Sequence, residues 1–303
     1  MRQVLNSNSC AIIVCDHGLG HIRRCALMAK TREIQGESVT LFAPCASIEK
    51  LQKVIPYING LKINNFEMLT SIKKFKTGLR EATEWLDRLP SLDKYQTVVC
   101  DNQPEILTRR PDAILSAQFF WHDVTIGVSK EYSEYCEDLL TKYTPKVIGC
   151  RMFSMDAVRN LPGFKSVGLY KNPNLIDAMK ANRSEGCSDL LITGGSTPIL
   201  RQKLKKIIRP FLTKPSKLYK YIHVDAELLP PSKPEWIVQA DFSIDMYCRL
   251  KSAICRPGLG TLTDLLTVGV VPWVVHEKDN LEMCHNARII SHIKSNKNLI
   301  NIL

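Results

Sequence analysis

At 303 residues the chain has room for two domains of roughly 150 residues each, and a hydrophobic share of 45% is enough to fill both cores. A formal net charge of +11 favours anionic partners: nucleotides, acidic glycans, nucleic acids or anionic headgroups. Eleven cysteines without a C-x-x-C pair read as reduced, mostly buried thiols, which excludes a disulfide-stapled secreted module. No run approaches the roughly 18 apolar residues of a membrane span, and residues 1–9 lack an apolar signal stretch. The expected location is the cytoplasm, with peripheral contact at the inner face of a membrane left open.

The first predicted strand, residues 11–15, opens directly into Asp16-His-Gly-Leu-Gly-His-Ile-Arg-Arg-Cys25, with helix from Ile22 onward. This turn lacks the complete G-x-G-x-x-G pattern, so a bound dinucleotide is poorly supported. It places His21 near the helix start, at the mouth of the sheet, where an imidazole can serve as general base near neutral pH. A structural histidine capping the turn is the alternative. Asp16 shares the loop and can orient an imidazole or contact an acceptor, while Gly18 and Gly20 allow close approach of the backbone.

Further strands are predicted at 38–42, 97–100, 113–116 and 147–149. Asp101 and Asn102 follow the second of these, and Phe119-Phe-Trp-His-Asp123 follows the third. Polar groups with a tryptophan at strand ends suit a hydroxylated ring, whose apolar face packs while its hydroxyls bond. Asp101, Asn102, Trp121 and His122 are therefore candidate catalytic or acceptor-binding residues, whereas Phe119 and Phe120 read as core. Turn residues in Asn160-Leu-Pro-Gly-Phe164 and Tyr170-Lys-Asn-Pro-Asn174 put a domain boundary near the midpoint, dividing the chain into 1–165 and 166–303.

The second half has predicted strands at 166–169, 189–192, 218–223, 252–255 and 272–275. Apolar runs of this length, separated by helix-length segments, indicate parallel sheets covered on both faces, so each half reads as a doubly wound α/β domain. Thr193-Gly-Gly-Ser-Thr-Pro198 follows one strand; Gly194 and Gly195 permit close approach to an anion, and Ser196 or Thr197 can donate a hydroxyl. The next segment, 199–212, is a basic amphipathic helix, read either as sheet cover with a solvated lysine face or as a membrane-surface element. Strand 252–255 then runs into Arg256-Pro-Gly-Leu-Gly-Thr261 and a helix, whose free N–H groups make a seat for a phosphate. Gly258 and Gly260 let the anion in, Thr261 can cap the helix or bond a phosphate oxygen, and Asp264 lies where a carboxylate takes ribose hydroxyls. Two such loops suggest a diphosphate. Glu277, Asp279, Asn280 and Glu282 fall where a nucleotide's sugar would lie, a solvated acidic loop being the alternative. No zinc spacing, P-loop or nucleophile elbow is present, and neither metal nor cofactor is predicted.

Taken together, Gly18-Leu-Gly-His21, Gly194-Gly195 and the block from Cys255-Arg-Pro-Gly-Leu-Gly-Thr261 through Asn286-Ala287 resemble the GT-B glycosyltransferases, particularly the family 28 branch. The resemblance implies two Rossmann-like domains facing a cleft, with a UDP-sugar held by the C-terminal one. It implies inverting transfer, with His21 as base, to a glycan, lipid-linked or small-molecule hydroxyl acceptor in the N-terminal domain. By the same analogy Asp264 binds ribose, Glu282 binds sugar hydroxyls, and backbone at 242–246 reads uracil. Asp264 stands where the family more often has glutamate, and the chain stops soon after Asn286-Ala287, so the C-terminal crossover helix is expected to be short or missing. Gly18-x-Gly-His-x-x-Arg-Cys25 also resembles the UDP-sugar hydrolase of pseudaminic acid biosynthesis, in which His21 would activate water. A non-catalytic nucleotide-sugar-binding protein is the remaining alternative. Nucleic acid is not expected, because no stacking-aromatic pattern accompanies the charge.

Overall fold

The computed structural model describes residues 8–182, 187–194 and 197–296. The chain forms two compact units, Met1–Tyr170 and Lys171–Leu303, so the division lies slightly C-terminal to the predicted 165/166.

The first unit is built on seven parallel strands, β1 (Ser9–Ile13), β2 (Ser38–Ala43), β3 (Ile63–Asn65), β4 (Thr97–Asp101), β5 (Ile114–Ser116), β6 (Val147–Gly149) and β7 (Phe164–Ser166), in the order β3-β2-β1-β4-β5-β6-β7. Alternate residues of β1 serve opposite cores. Ala11 and Ile13 pack with Phe42, Trp85, Cys100 and Leu115, while Cys10 and Ile12 pack with Leu41 and with Ala26 and Leu27 of the helix Leu19–Ile34. A strand apolar on both faces needs cover on both, which is why the central strands read as continuous hydrophobic runs.

The strand predicted at 166–169 in the second half is β7 instead, the edge of the first sheet, with Phe164 in register with Val147. Gly163 allows this approach, since a Cβ there would sit 2.0 Å from the carbonyl oxygen of Pro145.

The second unit has β8 (Asp189–Thr193), β9 (Ile222–Val224), β10 (Ile237–Gln239), β11 (Leu250–Cys255) and β12 (Trp273–Val274), all parallel, in the order β10-β9-β8-β11-β12. The basic helix Pro198–Thr213 buries Leu200, Leu204 and Ile208, and Leu204 and Ile208 join a cluster with Leu190, Ile192 and Ile222. Its apolar stripe is therefore taken up by the core, and its lysines form the outer face. Among the described residues no helix is long and apolar enough to cross a membrane. Cys10, Cys15, Cys25, Cys100, Cys136, Cys150 and Cys255 are buried, in keeping with the reading of the cysteines.

Candidate functional site

In a doubly wound sheet the crevice opens at the carboxyl ends of the two strands where the chain order reverses. In the first unit those strands are β1 and β4, which pair directly. Gly18 ends the loop after β1 at φ +110, a backbone state that favours glycine, and the helix Leu19–Ile34 starts at once, with Gly20 and His21 in its first turn. Asp101 is the last residue of β4 and fully buried. His21 Nδ1 lies 2.8 Å from Asp101 Oδ2. One turn further along the helix, Arg24 Nη2 donates to Asp101 Oδ1 and, at 3.2 Å, to Asn102 Oδ1. Asn102 itself sits at φ +58. Burial alone would raise the pKa of Asp101, but the neighbouring Arg24 and His21 outweigh it and hold the carboxyl below its ordinary value. An ionised carboxylate only accepts, so His21 carries its proton on Nδ1 and leaves Nε2 as the nitrogen that can take another.

The remaining candidates of this unit occupy other positions. Asp16 accepts from the amide of Leu69 (2.6 Å) and from the amide and hydroxyl of Thr70 (3.3 and 2.9 Å), so it anchors a neighbouring turn, and Asp101 is the acid that meets the imidazole. Trp121 is buried, stacked on Phe75 with its ring 5.9 Å from that of His21. His122 stacks on Phe120, and burial lowers its pKa to about 4, leaving it neutral inside the unit. Arg24 did not figure among the sequence candidates; its spacing of three residues from His21 is the signal that could have found it.

Beneath the pair runs a buried polar chain. With the Gln103 amide nitrogen turned toward Glu105, 3.1 Å from each carboxyl oxygen, its oxygen lies 3.7 Å from the Cys15 thiol, and Tyr132 donates to Glu105 at 2.6 Å. Burial raises Glu105 from 4.5 to about 7. Between these values the folded state binds more protons than the unfolded chain, so this residue's contribution to stability is present below pH 4.5 and is lost as the pH rises to about 7. The shift corresponds to about 3 kcal/mol. Glu105→Gln should therefore gain stability over wild type between pH 5 and pH 8, measured by urea unfolding at both; equal differences at the two pH values would refute this.

Cys15 Sγ, His21 and Asp101 place three donor atoms within 4.8 Å of one another. The charge of Asp101 is already engaged by a guanidinium, and burial, with the Asp101 charge second, pushes the Cys15 thiol up to about 12.

In the second unit the reversal falls between β8 and β11, and both glycine loops leave these adjacent strands. Gly194 has φ +104, and a Cβ there would lie 2.5 Å from that of Arg256; its amide donates to Asp225 Oδ2 at 2.8 Å. Gly195 and Ser196 lie outside the described residues. Gly258 is the N-cap of helix Leu259–Thr267 without a side-chain cap, and the space where its Cβ would stand is open. Its φ of −72 is ordinary, so what glycine supplies at 258 is room. Gly260 and Thr261 lie in the first turn of this helix, and Asp264, one turn in, is buried. The resemblance block is cross-tied: Thr197 donates to Glu277 Oε1 at 2.7 Å, and Asn286 Nδ2 donates to the carbonyl of Pro257 at 2.9 Å. Asn280 Oδ1 caps helix Leu281–Ser295 by accepting from Met283 N, with Glu282 in its first turn. Glu277 thus ties the two loops together and Asn280 caps the helix that follows.

Two Rossmann-like units in succession, each with its polar loops at the reversal point, make the GT-B fold. No protein-family model and no curated sequence matches the chain. Among solved structures it is similar to LpCGTa in complex with UDP (13% identity, 94% of this chain and 83% of that one, TM-score 0.59). It is also similar to CalG4, the calicheamicin glycosyltransferase (12%, 97% and 91%, 0.56), and to MurG of Acinetobacter baumannii (14%, 94% and 84%, 0.53).

Proposed function

We propose that the protein is an inverting glycosyltransferase that takes a sugar from a UDP-sugar. The observation that carries this reading is the His21–Asp101 pair at the reversal point of the first sheet. The open helix N-terminus beside two glycine loops in the second unit supports a diphosphate there, and the bound UDP of one structural relative supports the nucleotide class. In the reaction, His21 Nε2 takes the proton of an acceptor hydroxyl as its oxygen forms a bond to the anomeric carbon. The bond from that carbon to the β-phosphate oxygen breaks with its electron pair leaving on UDP, and the configuration inverts. Arg256, Gly258 and the N–H groups of Gly260 and Thr261 are the groups we assign to the diphosphate.

Calorimetry with UDP, UMP and ADP should show that UDP binds, and Gly258→Trp, which fills the open space, should abolish that binding. No UDP binding by wild type, or unchanged binding by the variant, would remove the donor assignment. Incubation with a panel of UDP-sugars, with and without cell extract, separates the chemistries by mass spectrometry. UDP release only with extract supports transfer; stoichiometric free sugar without extract would establish hydrolysis instead. UDP binding without turnover in either arm would leave a binding protein.

A further inference from the structure

His21 and Arg24 stand three residues apart on one helix and reach the same carboxylate from the same face. Each oxygen of Asp101 has its own partner, Oδ2 at His21 and Oδ1 at Arg24, and the guanidinium nitrogen that holds Oδ1 also holds Asn102 Oδ1 at 3.2 Å. We propose that Arg24 is a positioning residue that locks Asp101 toward His21 and shares its negative charge, so that the imidazole is oriented without being held in its protonated form. This proposal rests on the reading of His21 as the base.

The reason is electrostatic. A lone carboxylate 2.8 Å from an imidazole favours the imidazolium, and a base that already holds its proton cannot take another. A guanidinium on the other oxygen offsets that pull while leaving the orienting hydrogen bond intact. The thiols and carboxylates around this pair do not supply the compensating charge. The thiols of Cys15, Cys25 and Cys100 are raised by burial and remain protonated. Asp16 is engaged by the Leu69–Thr70 turn, and Glu105 by Tyr132 and Gln103.

The test is a proton NMR titration of the His21 ring, assigned by the resonance missing from His21→Gln, in wild type, Arg24→Met and Arg24→Lys. Removing the cation should raise the titration midpoint by about 1–3 units, the usual effect of a charge at this range, while the lysine variant, which keeps the charge, stays near wild type. In turnover with the UDP-sugar that reacts, the acid limb of the pH–rate profile of Arg24→Met should move up by the same amount, with activity recovering at higher pH. A role confined to packing would lower activity at every pH without moving the limb. A midpoint unchanged or lowered in Arg24→Met overturns the proposal. If that variant does not fold, Arg24→Gln, which keeps a donor but no charge, is read in the same way and against the same outcomes. The titration needs no substrate, so its failure is separable from failure of the base assignment, which His21→Ala decides.

Discussion

His21→Ala should lower turnover by about 10²–10⁴ while UDP affinity stays within about threefold of wild type, because a general base acts on the transition state and the glycine loops we propose for the diphosphate belong to the other unit. The imidazole is only lightly exposed and makes one side-chain hydrogen bond, to Asp101, so the fold should tolerate its loss. Initial rates with the reactive UDP-sugar, together with UDP calorimetry on the same preparation, check both halves of the expectation. A variant that keeps its rate but loses UDP affinity would make His21 a binding residue and pass the role of base to another group.

Asp101→Asn should have the second large effect, and on two properties at once. The carboxylate is fully buried between a guanidinium and an imidazole, so replacing it breaks its ion pair with Arg24 inside the unit. Breaking a buried pair in this way costs about 3–5 kcal/mol, visible as a lower urea midpoint. Activity should fall as well, because the asparagine amide can present its nitrogen to His21 and change the ring's tautomer. The pH dependence has a definite sign: the folded pKa of Asp101 lies below its ordinary value, so its contribution is present above about pH 4 and is lost as the pH falls further. Wild-type stability should therefore drop in acid more steeply than that of the variant. Equal urea midpoints for the two proteins at pH 7 would show that the Arg24–Asp101 contact contributes nothing net.

The strands that were missed, and the one assigned to the wrong unit, share a cause. They lie at sheet edges: β3 with Ile63-Asn-Asn65, β10 with Ile237-Val-Gln239, and β7, expected two residues later and in the other unit, whereas the interior β1 and β9 were found with their bounds displaced from 11–15 and 218–223. An edge strand is bonded along one side only, so it can be short and polar and carries little of the apolar pattern that marks a central strand. The site followed the same logic. Asp16 and His21 are neighbours in sequence, yet the loop turns Asp16 to Leu69 and Thr70, and the acid that meets His21 comes from a strand 80 residues away.

By itself, the sequence determined the parallel α/β class, the buried thiols, and the glycine turns that follow strands. All of these are local signals, written in apolar period and in residue types that turns and helix starts require. The tertiary structure alone decided that Asp101 and Arg24 share a contact, that Glu277, Asn280 and Asn286 brace the second unit's loops, and that His122 is a buried neutral ring. Those outcomes depend on which strands lie side by side and on how far each group is removed from water. Pairing and burial of that kind arise only when segments distant in the chain pack together.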